Sequence, residues 1–237
     1  MINHKGTQKI ETERLILRPA TMNDADAMFH NWANDPQVTK YLTWPAHSSP
    51  EITKAVLLEW VSNYNNPDFY QWLIEPKGSD SGPIGSISVV SYDEIKEKAE
   101  IGYCIGRRWW HQGITSEALA AVIRYLFDQV GLLHIEARHD VNNPQSGAVM
   151  RKCGMMPLEI ATQAGLNNQG VCDIATYIIS KTPSNHKRVH AIIDRPLGSF
   201  HPQHPDLFYE VNYGFIPDTK APDGEEQDAY ILGVDHP

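Results

Sequence analysis

Glu100-Ile-Gly-Tyr-Cys-Ile-Gly-Arg-Arg-Trp-Trp-His-Gln-Gly-Ile-Thr-Ser-Glu-Ala-Leu119 is the stretch that decides the fold of this chain. Residues 100–105 alternate, with Ile101, Tyr103 and Ile105 on one face and Glu100, Gly102 and Cys104 on the other, which predicts a strand. A loop follows over 106–113. Leu119, Val122, Ile123, Leu126, Phe127 and Val130 then recur at helical spacing and give one apolar face. At the junction the N–H groups of His111 to Thr115 lack helical partners. With the helix dipole they form an anion site, and Gly113 lets a ligand approach the backbone closely. The expected anion is a pyrophosphate.

A second signature lies downstream. Residues 135–139 read as a short strand, and Asp140-Val-Asn-Asn-Pro-Gln-Ser146 opens a helix. Asn143 suits its N-cap, Pro144 its first position and Gly154 its C-terminal cap. Working outward, residues 14–18 predict a first strand. A helix capped by Asn23 or Asp24 then runs through Ala25, Met28, Phe29 and Trp32, and a second spans 52–64 after Ser49-Pro50-Glu51. Strands are expected at 69–75 and 83–91, with a charged turn over 93–98. The segments 155–164 and 171–180 read as a hairpin around Asn167-Asn-Gln-Gly170. The order predicts an α/β fold: one mixed central sheet flanked by helices.

These motifs resemble the GNAT N-acetyltransferase superfamily, in the branch that includes ribosomal-protein N-terminal acetyltransferases. The resemblance covers about residues 10–180. It rests on Thr12-Glu-Arg-Leu-Ile-Leu-Arg-Pro19, Asn34-Asp-Pro36 with Tyr41-Leu-Thr-Trp-Pro45, Glu100-Ile-Gly-Tyr103, Trp110-His-Gln-Gly-Ile-Thr-Ser-Glu-Ala118, and Asn143-Pro-Gln-Ser146 with Met150-Arg-Lys-Cys-Gly-Met155. One departure is Thr115, where the family usually has Gly or Ala. The resemblance implies a cytoplasmic N-acetyltransferase that uses acetyl-CoA as co-substrate and acetylates a primary amine, either a protein N-terminus or a small molecule. Backbone groups of Tyr103, Cys104 and Ile105 would hold the pantetheine. Arg108, His111, Gln112, Gly113, Ile114, Thr115, Ser116 and Lys152 would surround the phosphates, with Asn143 and Ser146 near the thiol. Glu100 is the candidate general base and Ser146 the candidate acid. Trp32, Tyr41, Trp44 and His47 are acceptor-side candidates. For Glu100 the plain alternative is a strand-start charge paired with Lys96 or Lys98; for Trp32 it is a core position. Cys104 as an acyl carrier is disfavoured, because no His stands at a motif-like spacing from it.

The net charge of −9 argues against a nucleic-acid partner. No apolar run is long enough for a membrane span. Three scattered cysteines, 104, 153 and 172, point to a reducing compartment rather than a disulfide framework. A homodimer stays open. Residues 183–237 carry four Lys and Arg against nine Asp and Glu, and a linker-like stretch, 181–190, precedes most of them. The chain therefore divides into 1–182 and 183–237, the latter a partial, β-rich C-terminal extension. Asn212-Tyr-Gly-Phe-Ile216 and Asp223-Gly-x-x-x-Asp228 resemble the beginning of a soluble inorganic pyrophosphatase, with Asp223, Glu225 and Asp228 similar to a Mg²⁺-binding set. The resemblance covers only part of a barrel, so the expectation is a passenger without a working metal site. Two rivals remain: an acetyl-CoA-binding sensor without turnover, and a bifunctional enzyme with pyrophosphatase activity.

Overall fold

Eight segments pair into one sheet, seen in a computed structural model that describes residues 2–181, 192–196, 199–201, 204–208, 212–217, 219 and 227–231. The strands are β1 (Ile10–Glu11), β2 (Leu15–Arg18), β3 (Gln71–Pro76), β4 (Gly85–Asp93), β5 (Lys98–Ile105), β6 (His134–Asp140), β7 (Met156–Asn167) and β8 (Gly170–Ser180). Their order is β1-β2-β3-β4-β5-β6-β8-β7, and every pair is antiparallel except β5 with β6. This parallel pair needs a crossover, which α4 (Ile114–Tyr125) supplies. The remaining helices are α1 (Ala25–Met28), α2 (Pro36–Thr39), α3 (Pro50–Asn63) and α5 (Pro144–Lys152).

Helices cover both sheet faces, so β3 is buried at four successive positions, Gln71 to Ile74. The larger core joins Leu15, Trp72, Ile87, Ile101 and Ile135 to Leu119 and Val122 of α4 and Met150 of α5. Alternation puts Leu73 and Cys104 on the opposite face, against Met28, Trp32 and Leu57. Fully burying one such aliphatic side chain contributes about 1.5–3 kcal/mol.

The structure corrects three expectations. The first helix is broken: a 3₁₀ turn over Met22–Asp24 precedes α1, and a π turn over Phe29–Ala33 follows it. Thr21 starts the 3₁₀ turn, its N–H donating to Asp24 Oδ2 at 2.7 Å, while Asp24, one of the two expected caps, holds the N-cap position of α1 without a side-chain capping bond. The charged turn is shorter than expected because Asp93 pairs with Lys98 in register; the charges hide the strand ends. β7 runs on to Asn167 through two register shifts.

The feature that positions the site is a parting of strands. β5 and β6 pair only at Lys98–His134, Ala99–Ile135 and Glu100–Glu136. Beyond Glu100, β5 stays paired with β4 as far as Ile105, and β6 with β8 as far as Asp140. The facing backbones of the two strands therefore open into a gap. A bulge at Val90 of β4 sits beside its start, as bulges commonly do beside functional sites.

Contacts divide the chain into Met1–Thr182 and Pro183–Pro237. In the second unit β9 (Ile192–Arg195), β12 (Asn212–Ile216) and β13 (Gln227–Ile231) form an antiparallel sheet with β12 central, and β10 (Phe200–His201) pairs with β11 (His204–Phe208). A Cβ at Gly214 would collide with the Ile192 carbonyl, which explains glycine in that motif. Linker residues 182–190 and the carboxylates Asp223 and Glu225 lie outside the described residues. Among the described residues no helix is long and apolar enough to cross a membrane.

Candidate active site

Gly113 is the N-cap of α4 and adopts φ +74°, a left-handed conformation that glycine takes without strain. The first helical bond runs from Glu117 N–H to the Gly113 carbonyl at 3.1 Å. The N–H groups of Ile114, Thr115 and Ser116 thus have no carbonyl acceptor in the helix. Ile114 and Ser116 are buried, so they serve the site through the backbone alone. A Cβ added at Gly113 would lie 3.5 Å from Lys152 Nζ and 3.6 Å from Arg14 Nη2. Two cations therefore flank a cluster of backbone donors at the positive end of a helix. A Cβ would fill that cradle, and its donor set fits a diphosphate.

Arg14 was not legible in the sequence as a site residue, because it reaches Gly113 across the sheet from β2's leading end. Glu117 holds it: Arg14 Nε donates to Glu117 Oε2 at 2.6 Å, and Nη1 donates to the Gln112 carbonyl at 3.1 Å. The expected loop residues divide by role. His111, at φ +59°, and Gln112 are exposed and shape the turn, with Gln112 Nε2 donating to the Arg108 carbonyl at 2.7 Å. Arg107 pairs with Asp35, which also caps α2.

Main-chain groups of Tyr103, Cys104 and Ile105 lie on the part of β5 that β6 has left. The Tyr103 side chain reaches the first turn of α5: its hydroxyl donates to the Ser146 carbonyl at 3.0 Å and stands 2.9 Å from Ser146 Oγ. Burial pushes the Tyr103 phenol well up, against the opposing bond to Ser146, so it keeps its proton. Asn143 occupies the N-cap position, but its side chain makes no capping bond. Cys104 faces the other way. Burial raises its thiol, and Ser86 Oγ lies 3.5 Å away, an environment that disfavours a nucleophilic thiolate.

Glu100 stands where the strands part, and its side chain is 19 % exposed. Its Oε2 accepts from Arg138 Nη2 at 2.5 Å, with Ser91 Oγ at 3.5 Å. Neither expected lysine is its partner: Lys96 pairs with Asp93 and Lys98 with Glu136. The parallel register brings Arg138 within reach.

On the acceptor side two expectations are corrected. Trp32 is 0 % exposed inside the smaller core and cannot line a cleft. His47 is buried, its Nδ1 2.8 Å from Thr53 Oγ1, and desolvation lowers its pKa, so it anchors the loop from inside. Tyr41 and Trp44 remain partly exposed. Asn168, at the tip of the β7–β8 hairpin, was not anticipated. Its Nδ2 donates to the carbonyls of Thr39 and Trp44 at 2.8 Å and of Leu42 at 3.2 Å. One side chain thus clamps the 39–44 loop.

A parallel strand pair thus parts close to an anion cradle at a helix N-terminus. The chain belongs to the acetyltransferase (GNAT) domain family, whose model matches residues 14–156. It is similar to the uncharacterized N-acetyltransferase YoaA of Bacillus subtilis, 31 % identical over 172 residues that cover 73 % of this chain and 96 % of the relative. It is also similar to the ribosomal-protein-serine acetyltransferase of Escherichia coli, 32 % identical over 94 residues, 40 % of this chain and 52 % of the relative. RimL, a ribosomal L7/L12 alpha-N-protein acetyltransferase solved in complex with coenzyme A, matches with a TM-score of 0.65 at 21 % identity, covering 73 % of this chain and 98 % of that one. This last likeness is one of fold. The chain is an acetyl-CoA-dependent N-acetyltransferase.

Proposed function

We propose that this chain acetylates a primary amine by direct attack, with Glu100 as the group that takes the amine proton and Ser146 as the group that serves the leaving sulfur. Acetyl-CoA supplies an acetyl group already activated as a thioester, so positioning carries much of the acceleration. The cradle at Gly113 is the observation that carries the reading. The donors of Gly113 to Ser116, with Arg14 and Lys152, would hold the diphosphate. Backbone groups of Tyr103 to Ile105 and the uncommitted Asn143 carboxamide would orient the pantetheine. Arg138 holds one oxygen of Glu100, which leaves Oε1 to accept a proton. Ser146 presents its hydroxyl from the first turn of α5, where the helix dipole also favours negative charge.

A polypeptide N-terminus is the preferred acceptor in this reading, supported by relatives that carry ribosomal-protein acetyltransferase names. Tyr41 and Trp44, on the loop clamped by Asn168, would face it. The three free cysteines support a reducing, cytoplasmic setting. The exposed row Met156, Leu158 and Ile160 along edge strand β7 supports pairing of two copies, which light scattering measures. The deciding experiment follows thiol release from acetyl-CoA across peptide N-termini, amino acids and polyamines. Turnover with peptides supports the reading, and turnover confined to small amines replaces the acceptor. Binding without turnover on any amine would make the chain a sensor.

A further inference from the structure

Two hydroxyls bridge the gap at the reacting end, and the proposed function uses only one of them. Tyr103 comes from β5 and Ser146 from the helix that follows β6, so their contact ties together the two strands that part. Both groups are half-buried. We propose that Tyr103 is a positioning residue that acts through Ser146, turning its hydroxyl proton toward Ser146 Oγ as negative charge appears on the leaving sulfur. This rests on the function proposed above and adds a residue to it.

The geometry offers two arrangements of the same atoms. At rest, Tyr103 Oη–H donates to the Ser146 carbonyl at 3.0 Å, and Tyr103 Oη can accept from Ser146 Oγ–H at 2.9 Å. Ser146 is then turned away from the gap. When Ser146 Oγ–H turns to the sulfur, Oγ is left with free lone pairs. Tyr103 Oη–H reaches them with no movement of heavy atoms. A hydroxyl that accepts one hydrogen bond is a stronger donor of the next. The tyrosine would therefore strengthen the Ser146 bond only when charge is present, which is the differential binding that lowers a barrier. No proton needs to leave either oxygen. The amine forms its C–N bond as the C–S bond breaks, its proton passes to Glu100, and the thiolate takes a proton from solvent later.

The surroundings suit this role. Burial keeps the phenol protonated. Cys153 donates to the Ser116 carbonyl at 3.2 Å, and burial raises its thiol to about 11. His139 abuts Gly147, the residue after Ser146, and its Nδ1 is committed to the Asp140 carbonyl side at 2.7 Å. Lys152 and Arg151 are the cations on the same helix, and Arg151 Nη1 donates to Tyr177.

The test uses the full chain with bound coenzyme A, and titrates the bound thiol by its thiolate ultraviolet absorbance. Tyr103→Phe keeps the ring in the core and removes the hydroxyl. It should raise the bound thiol's pKa by about one unit and lower kcat about tenfold, with acetyl-CoA affinity held and the fold retained. The double variant with Ser146→Ala should be no worse than Ser146→Ala alone, because the two hydroxyls act in series. An unchanged thiol titration in a folded Tyr103→Phe protein that binds coenzyme A would overturn the inference, even with wild-type turnover intact. So would fully additive losses. If the Phe variant fails to fold, carbon-labelled tyrosine NMR on the otherwise native chain replaces it. One tyrosine signal should move as the bound thiol ionises and stay still in Ser146→Ala; no responsive tyrosine refutes the role. Absence of coenzyme A binding and turnover in the wild type would instead remove the proposed function, and this inference with it.

Discussion

Replacing Gly113 with Val tests the anion cradle, and the structure sets the size of the effect. The residue sits at φ +74°, where a β-branched side chain costs of order 1–3 kcal/mol. Its Cβ would come 3.5 Å from Lys152 Nζ and 3.6 Å from Arg14 Nη2. Those are ordinary contacts, so the unliganded protein can still fold with its two methyl groups placed between the cations. A diphosphate would then lose its approach to the backbone N–H groups and at least one charge-assisted bond, worth about 1.5–3 kcal/mol. Acetyl-CoA affinity should fall by roughly 10- to 100-fold, read by calorimetry. Gly113→Ala separates the two terms: it carries much of the backbone strain but less bulk, so it should lose similar stability and less affinity. S-acetyl-pantetheine, which lacks the diphosphate, should bind both variants as it binds the wild type. Unchanged acetyl-CoA affinity in Gly113→Val, or equal weakening for S-acetyl-pantetheine, would remove the cradle from the site.

Glu100→Gln should lower kcat about 100-fold, most of all at low pH where free amine is scarce, with acetyl-CoA affinity unchanged; equal activity across the pH profile would leave Glu100 as the partner of Arg138 only. Asn168→Ala removes the donor to three loop carbonyls, so KM for the amine should rise several-fold while acetyl-CoA affinity holds, and an unchanged KM would detach the 39–44 loop from acceptor binding. For residues 183–237, phosphate release from pyrophosphate should stay at background with Mg²⁺ or Mn²⁺, the expected outcome for a unit without a working metal site, since such hydrolysis needs metal ions on both sides of the reacting phosphorus. Metal-dependent release abolished by Asp228→Ala would make the chain bifunctional.

What the sequence determined by itself is local in character. The alternation of 100–105, the helical spacing from Leu119 to Val130 and the glycine between them specify strand, turn and helix. Each rests on a short-range rule: side chains alternate along a strand, recur along a helix, and only glycine turns left-handed freely. Gly113 was legible for that reason, whereas Ser146 and Lys152 were singled out by the resemblance and by no short-range rule. The boundaries of β4 and β5 were not, because Asp93 and Lys98 are charged residues at a pairing that only cross-strand register reveals.

The partners of those residues were decided by the tertiary structure. Arg14 meets Gly113, Arg138 meets Glu100, Asn168 meets the 39–44 loop and Tyr103 meets Ser146, all across sequence separations at which no periodicity operates. Trp32 was ambiguous for a related reason: an aromatic on a helix face packs in a core or lines a cleft according to what lies opposite, and here the sheet and α3 enclose it. Register and crossover choose these neighbours. Pairing between β5 and β6 ends while each strand keeps its other partner, and where it ends is a property of the assembled sheet rather than of either segment.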